Sequence, residues 1–166
     1  MANITLGGAA TRTIGTLPQT GSKMPDARLV NTDLDSVSLS DYSGKNLIIS
    51  IFPSVNTGVC ATSVRKFNEL AADMENTVVL NVSMDLPFAQ QQFCAAEGID
   101  KVEMLSDFRF KEFGQAFNAF IEDGKFAGLH SRAIVVVDTD GNISYNEQVP
   151  EIGQEPDYEA ALEALK

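Results

Sequence analysis

The stretch Leu47-Ile48-Ile49-Ser50-Ile51-Phe52 constrains this chain more than any other. A nearly unbroken apolar run rich in β-branched residues reads as a buried strand, covered on both faces. The pattern then changes its period. Cys60, Val64, Phe67, Ala71 and Met74 recur at steps of four, three, four and three, which is one face of a helix running to about Asn76. A strand followed at once by an amphipathic helix is half of a βαβ unit, and helices are what cover a two-faced strand.

The rest of the chain repeats that alternation. Thr77 to Met84 and Ala133 to Val137 are two further strong strands, and Val102 to Leu105 is a short one. Residues 3–17 alternate weakly around Gly7-Gly8, which reads as an N-terminal β-hairpin. Ala27 to Leu39 reads as extended segments around Asn31-Thr32-Asp33, with a loop or helical turn from Ser40 to Lys45. Pro87 falls in the first turn of a helix carrying Phe88, Gln92, Cys94 and Ala95 and ending at Gly98. Asp107 is expected to cap a helix with Phe113, Phe117 and Phe120 on one side, and Pro156 to start a last helix with Tyr158, Leu162 and Leu165 inward. Asp138-Thr139-Asp140-Gly141-Asn142 turns the chain into Ile143 to Gln148, a β-turn-β pair that makes the sheet mixed. The expectation is an α/β sandwich with a central mixed sheet flanked by helices, formed as one domain over residues 1–166. A thioredoxin-like fold fits this order, and the pattern alone leaves other α/β folds open.

Cys60 opens the apolar face of its helix, so its sulfur points inward at the helix start. With Thr57 as N-cap, the thiol would stand near the third helical position, beside unpaired N–H groups and the positive end of the helix dipole. Both favour the reactive thiolate. Lowering a thiol from about 8.5 to about 6 needs roughly 3.4 kcal/mol. A helix end supplies about 0.3–1 kcal/mol, or about 2 when partly buried, and burial of sulfur opposes it. A reactive Cys60 therefore requires a cation from elsewhere. Arg132 immediately precedes the buried strand Ala133 to Val137 and is one candidate; Arg65, a little over one turn beyond Cys60, is another. Arginine keeps its proton and presents several donors. His130 is the lone histidine and reads as a surface or rim residue.

Cys60 and Cys94 lie 34 positions apart on different helices, so pairing them would require local unwinding. From spacing alone they are equally two buried small hydrophobes. There is no C-x-x-C, which counts against a dithiol oxidoreductase, and Cys60, Cys94 and His130 are too few and too scattered for zinc. The net charge of −11 argues against nucleic acid and anionic membranes as partners. No run approaches a membrane span, and Met1-Ala2-Asn3-Ile4-Thr5 lacks the basic flank and apolar stretch of a signal peptide, so a cytoplasmic home is expected. In a reducing compartment, two cysteines are more readily catalytic or idle than a permanent staple.

Phe52-Pro53-Ser54-Val55-Asn56-Thr57-Gly58-Val59-Cys60, continuing through Ser63-Val64-Arg65-Lys66-Phe67-Asn68, closely resembles the thiol peroxidase branch of the peroxiredoxins. The likeness extends over nearly the whole chain, through Gly21-Ser22-Lys23, Asp85-Leu86-Pro87-Phe88-Ala89-Gln90, Phe93-Cys94, Gly128-Leu129, Arg132-Ala133 and Glu155-Pro156-Asp157-Tyr158-Glu159-Ala160-Ala161-Leu162. The resemblance implies a thioredoxin fold, a homodimer, and reduction of hydrogen peroxide and alkyl hydroperoxides without metal or organic cofactor. It implies Cys60 as peroxidatic cysteine, Thr57 as the hydroxyl that orients peroxide, and Arg132 as the guanidinium that steadies the thiolate. Pro53 and Val59 would line the substrate pocket. Cys94 would be the resolving cysteine, closing an intrachain disulfide with Cys60 that thioredoxin reopens. Asn56, where aspartate is common, Gln92, where a basic residue is common, and His130-Ser131, in place of smaller or apolar residues, depart from the family pattern. A general thiol–disulfide oxidoreductase and a redox sensor without turnover are the rival readings.

Overall fold

A computed structural model describes all residues, Met1–Lys166. Two sheets form. β1 (Asn3–Leu6) and β2 (Ala9–Arg12) make an antiparallel hairpin turned by Gly7 and Gly8 at φ 58° and 84°. The main sheet holds β3 (Arg28–Val30), β4 (Ser36–Ser38), β5 (Asn46–Ile51), β6 (Thr77–Ser83), β7 (Glu103–Ser106), β8 (Ala133–Val137) and β9 (Ile143–Gln148). Its spatial order is β4-β3-β7-β6-β5-β8-β9. β5, β6 and β7 run parallel; β8, β9, β3 and β4 join as antiparallel neighbours. The sheet is mixed, as expected, and the extended 27–39 segment supplies one edge of it.

The four helices are α1 (Gly58–Ala71), α2 (Pro87–Glu97), α3 (Glu112–Ala116) and α4 (Tyr158–Glu163), with one 3-10 turn at Leu39–Tyr42. β5 shows why both faces must be covered. Leu47, Ile49 and Ile51 enter one apolar cluster with Leu80, Val82, Phe113 and Phe117, while Ile48 enters another with Phe67 and Ala161. Alternate side chains point to opposite faces, so an all-apolar strand carries a core on each. On the second face, the α1 residues Cys60 and Val64 pack with Phe52, Val55 and Met104, and with Phe93 and Cys94 of α2. α4 docks through Tyr158, whose ring meets Phe67 edge-on at 5.1 Å between centroids.

The α3 region departs from its expected form. The helix spans only Glu112–Ala116, its N-cap is Lys111, and Phe117 and Phe120 lie beyond it. A Cβ at Gly114 would collide with the Phe120 ring, and Asn118 takes φ 54° to turn the chain back. Packing Phe120 against Gly114 thus ends the helix that the phenylalanine spacing alone would have continued.

Candidate active site

The loop between β5 and α1 fixes Cys60. Thr57 is the N-cap of α1 by backbone conformation, which puts Cys60 at the third helical position. Its hydroxyl, however, does not cap; it donates to the Ser54 carbonyl at 3.3 Å, which also accepts from the Thr57 N–H at 3.2 Å. Cys60 is 0% exposed. Its sulfur receives a hydrogen bond from Nη2 of Arg132 at 3.0 Å.

Arg132 is itself 3% exposed and aimed by the backbone. Its Nε donates to the Ile152 carbonyl at 2.6 Å, and its Nη1 is buried without a partner. The strap carrying Ile152 is tied to the N-terminal hairpin. The Thr5 N–H donates to Pro150 and the Ile152 N–H to Thr5, each at 2.8 Å. Glu151 gathers the Gly153 N–H at 2.8 Å, the Gly8 N–H at 2.9 Å, the Thr5 hydroxyl at 2.9 Å and the Gly7 N–H at 3.3 Å. These donors, Gly153 and Gly8 foremost, hold its carboxyl down at about 2. The N-terminal hairpin, through Glu151, therefore steadies the strap whose Ile152 carbonyl orients the guanidinium.

A pocket of about 140 Å³ opens beside this pair. Thr57, Gly58, Val59 and Arg132 form its polar end, and Leu6, Phe126 and Ile152 its apolar walls. Val59 is among its lining residues; Pro53 is buried and is not. Arg132 and the α1 N-terminus at this pocket can polarise a small oxygen-bearing ligand, and the Cys60 sulfur stands 3.0 Å from that guanidinium, just outside the lining.

A redoxin family model matches residues 19–162. Thiol peroxidases of Corynebacterium glutamicum and Mycobacterium tuberculosis are 51% and 53% identical to the chain over 165 residues, covering 99% of it and 99% of each relative. The chain belongs to the redoxin family, in its thiol peroxidase branch. It is a peroxiredoxin enzyme, acting in thiol-dependent peroxide reduction. A solved peroxiredoxin-like protein from Aquifex aeolicus superposes with TM-score 0.93 at 34% identity, over 99% of this chain and 96% of that one. A thiol peroxidase from Chromobacterium violaceum shares the fold at TM-score 0.89 and 19% identity, over 97% and 93%. No helix of this peroxiredoxin is long and apolar enough to cross a membrane.

The second cysteine has a different setting. Cys94 is a free, half-buried thiol in α2, and burial pushes it up from its ordinary value. It opens onto a separate cleft of about 210 Å³, walled by Asn31, Thr32, Asp33, Gln91 and Glu103 among others. Its sulfur and that of Cys60 belong to one apolar cluster but are not bonded.

Two expected roles fail. Arg65 does not serve Cys60: it pairs with Glu97 of α2 at 3.3 Å on the surface, because the helical twist carries its side chain outward. His130 is no rim residue. It is wholly buried, its Nε2 2.9 Å from Oδ2 of an equally buried Asp107. Asp107 also accepts the N–H groups of Phe113 and Gly114, so it serves the start of α3 without being its cap. The supporting groups that sequence reasoning missed are Glu151 and the Ile152 carbonyl. A backbone oxygen leaves no trace in residue identity, and Glu151 stands amid other acidic residues of the C-terminal stretch.

Proposed function

We propose that Cys60 is the peroxidatic sulfur of this peroxiredoxin, and that it reduces hydrogen peroxide and alkyl hydroperoxides as an antioxidant defence. The observation that carries this reading is the Arg132 Nη2–Cys60 Sγ contact of 3.0 Å at the first turn of α1. The guanidinium supplies the cation that a helix end alone cannot replace. The peroxide lies against Arg132 and the 57–59 turn, with the Thr57 hydroxyl orienting it once freed from the Ser54 carbonyl. Cys60 thiolate attacks one peroxide oxygen; the O–O bond breaks, and the other oxygen leaves as alcohol or water after taking a proton. Charge developing on that leaving oxygen meets the spare N–H of Arg132, a donor already in place before reaction. The walls formed by Leu6, Phe126 and Ile152 suit an organic substituent on the peroxide.

The resulting Cys60 sulfenic acid is resolved by Cys94. The S–O bond breaks, an intrachain disulfide forms and water leaves. Cys60 and Cys94 share an apolar cluster, so the first turn of α1 needs only local unwinding to bring them together. Unwinding also loosens the packing whose burial pushes the Cys94 thiol up. Thioredoxin then reopens the disulfide by exchange. A cytoplasmic location and a homodimer complete the reading.

Intact-mass measurement after one equivalent of peroxide tests it. The expected result is loss of two hydrogens, with a peptide linking Cys60 to Cys94. A Cys94→Ser protein should stop at the sulfenic acid and cycle no further with thioredoxin; undiminished cycling would remove Cys94 from the mechanism.

A further inference from the structure

The loops that lead into the two cysteine helices meet at one carboxylate. Asp85 stands between β6 and α2, two residues before Pro87, the first residue of α2. Its Oδ1 accepts the Ser54 hydroxyl at 2.7 Å; its Oδ2 accepts the Val55 N–H at 2.9 Å and the Ser83 hydroxyl at 2.6 Å. On the α2 side the same residue is anchored twice more. Its carbonyl accepts the Ser106 hydroxyl at 2.5 Å, and buried Gln90 holds the Ser83 hydroxyl at 3.2 Å. On the α1 side, Ser54 passes the restraint on: its hydroxyl accepts the Asn56 N–H at 3.1 Å and its carbonyl the Thr57 N–H at 3.2 Å.

We propose that Asp85 is a positioning residue whose carboxylate latches the Cys60 loop to the base of the Cys94 helix and thereby sets how readily the first turn of α1 opens. This rests on the Cys60–Cys94 reading given above and assigns a control element to it. The two chemical steps need opposite states of that turn. Attack on peroxide needs it closed, with Cys60 against Arg132. Disulfide formation needs it open, since Cys94 lies within a different helix. The latch holds Ser54 and Val55, so opening is confined to the short segment from Asn56 to Cys60. Gly58 in that segment makes the helical form inherently weak there. Two hydrogen bonds from this loop to a carboxylate acceptor, from the Ser54 hydroxyl and the Val55 N–H, offset that weakness and favour the closed turn until Cys60 is oxidised.

A third reaction competes once the sulfenate exists. A second peroxide transfers an oxygen to it, giving sulfinate and water, and the enzyme is lost from the cycle. That step also needs the closed turn. A firm latch therefore favours fast peroxide reduction at the cost of susceptibility to excess peroxide, and a weakened latch does the reverse.

Asp85→Asn tests this. It keeps the shape but removes the charge and places an amide N–H₂ where an acceptor is required. The protein has no tryptophan, so acid-quenched time points read by intact mass follow sulfenic acid, disulfide and sulfinic acid directly. Relative to wild type, Asp85→Asn should form sulfenic acid more slowly and convert it to disulfide up to about fivefold faster, the scale of one lost hydrogen bond on a turn that is mostly closed. The peroxide concentration giving half sulfinic acid should rise correspondingly. Ser54→Ala removes one of the two cross-loop bonds, and with it the acceptor of the Asn56 N–H, while the Asp85 carboxylate keeps the Val55 N–H; it should show the same signs with smaller size. If Asp85→Asn fails to fold, Ser54→Ala alone decides. A merely structural Asp85 would slow both steps together, and that result, or an unchanged rate of disulfide formation, overturns the proposal. Wild type run in parallel separates the two readings. Should it form no internal disulfide, the Cys60–Cys94 assignment itself fails and the latch falls with it; should it form one normally, only the role of Asp85 is at stake.

Discussion

Residues 130–132 feed two buried polar pairs whose fates differ. His130 meets Asp107 at 2.9 Å, and Arg132 meets Cys60 at 3.0 Å. Both pairs are nearly sealed from solvent, and each leaves one nitrogen unpartnered, Nδ1 of His130 and Nη1 of Arg132. The difference lies in what surrounds them. His130 sits between the rings of Phe113 and Phe120, at 5.7 and 5.2 Å between centroids, and its partner is spent on the start of α3. Arg132 ends at a pocket. Burial and pairing are common to structural and reactive groups; a reactive group also needs room beside it for a ligand.

The sharpest way to break that comparison is to remove the sulfur. Cys60→Ser should abolish peroxide consumption, because a serine hydroxyl at this site is no nucleophile near neutral pH; any residual thioredoxin-coupled turnover would move the chemistry elsewhere. Arg132→Ala should come next, with sulfenic acid formation slowed about 100-fold, the usual scale for one lost charge-stabilising donor. Alkylation of Cys60 by iodoacetamide at a fixed neutral pH should slow as well, and an unchanged rate would clear Arg132 of that task. His130→Ala should do the opposite. It should cost roughly 3 kcal/mol in urea unfolding, as for a broken buried pair, while the rate of Cys60 alkylation in the folded protein stays put.

The smallest effect concerns the strap that aims Arg132. Glu151 has its carboxyl lowered from 4.5 to about 2 by the Gly153, Gly8, Thr5 and Gly7 donors. A depressed carboxyl stabilises the fold fully above its unfolded value and loses that contribution as pH falls towards the folded one. Hydrogen exchange of the Gly7 and Gly8 amides should therefore accelerate from about pH 4.5 down to about pH 2, relative to β5 amides, and Glu151→Gln should remove this pH dependence.

The sheet was legible because its signal is local. A two-faced strand such as Leu47–Phe52, a helix spaced like Cys60 to Met74, and a Gly98 stop at φ 67° each depend on neighbours in sequence. Where two such signals conflict, position in space wins: the phenylalanines after Asp107 read as one helix, but contact between Phe120 and Gly114 cuts it short. The thiol at a helix start, and the need for a remote cation, were likewise readable from residue types and energies. The amino acids alone also nominated Arg132, with Arg65 as a second candidate, and His130 read as a rim residue.

The family resemblance pointed to Arg132, and the tertiary structure gives the physical reason. Arg65 faces Glu97 at the surface, His130 is enclosed with Asp107, and Arg132 alone reaches Cys60, because β5 and β8 are adjacent antiparallel strands and the chain ends of both open on the same side. The Ile152 carbonyl and the Asp85 latch belong to the same class of fact. Hydrogen bonds between groups far apart in sequence are set by where the backbone finally runs, and no property of the individual residues records that path.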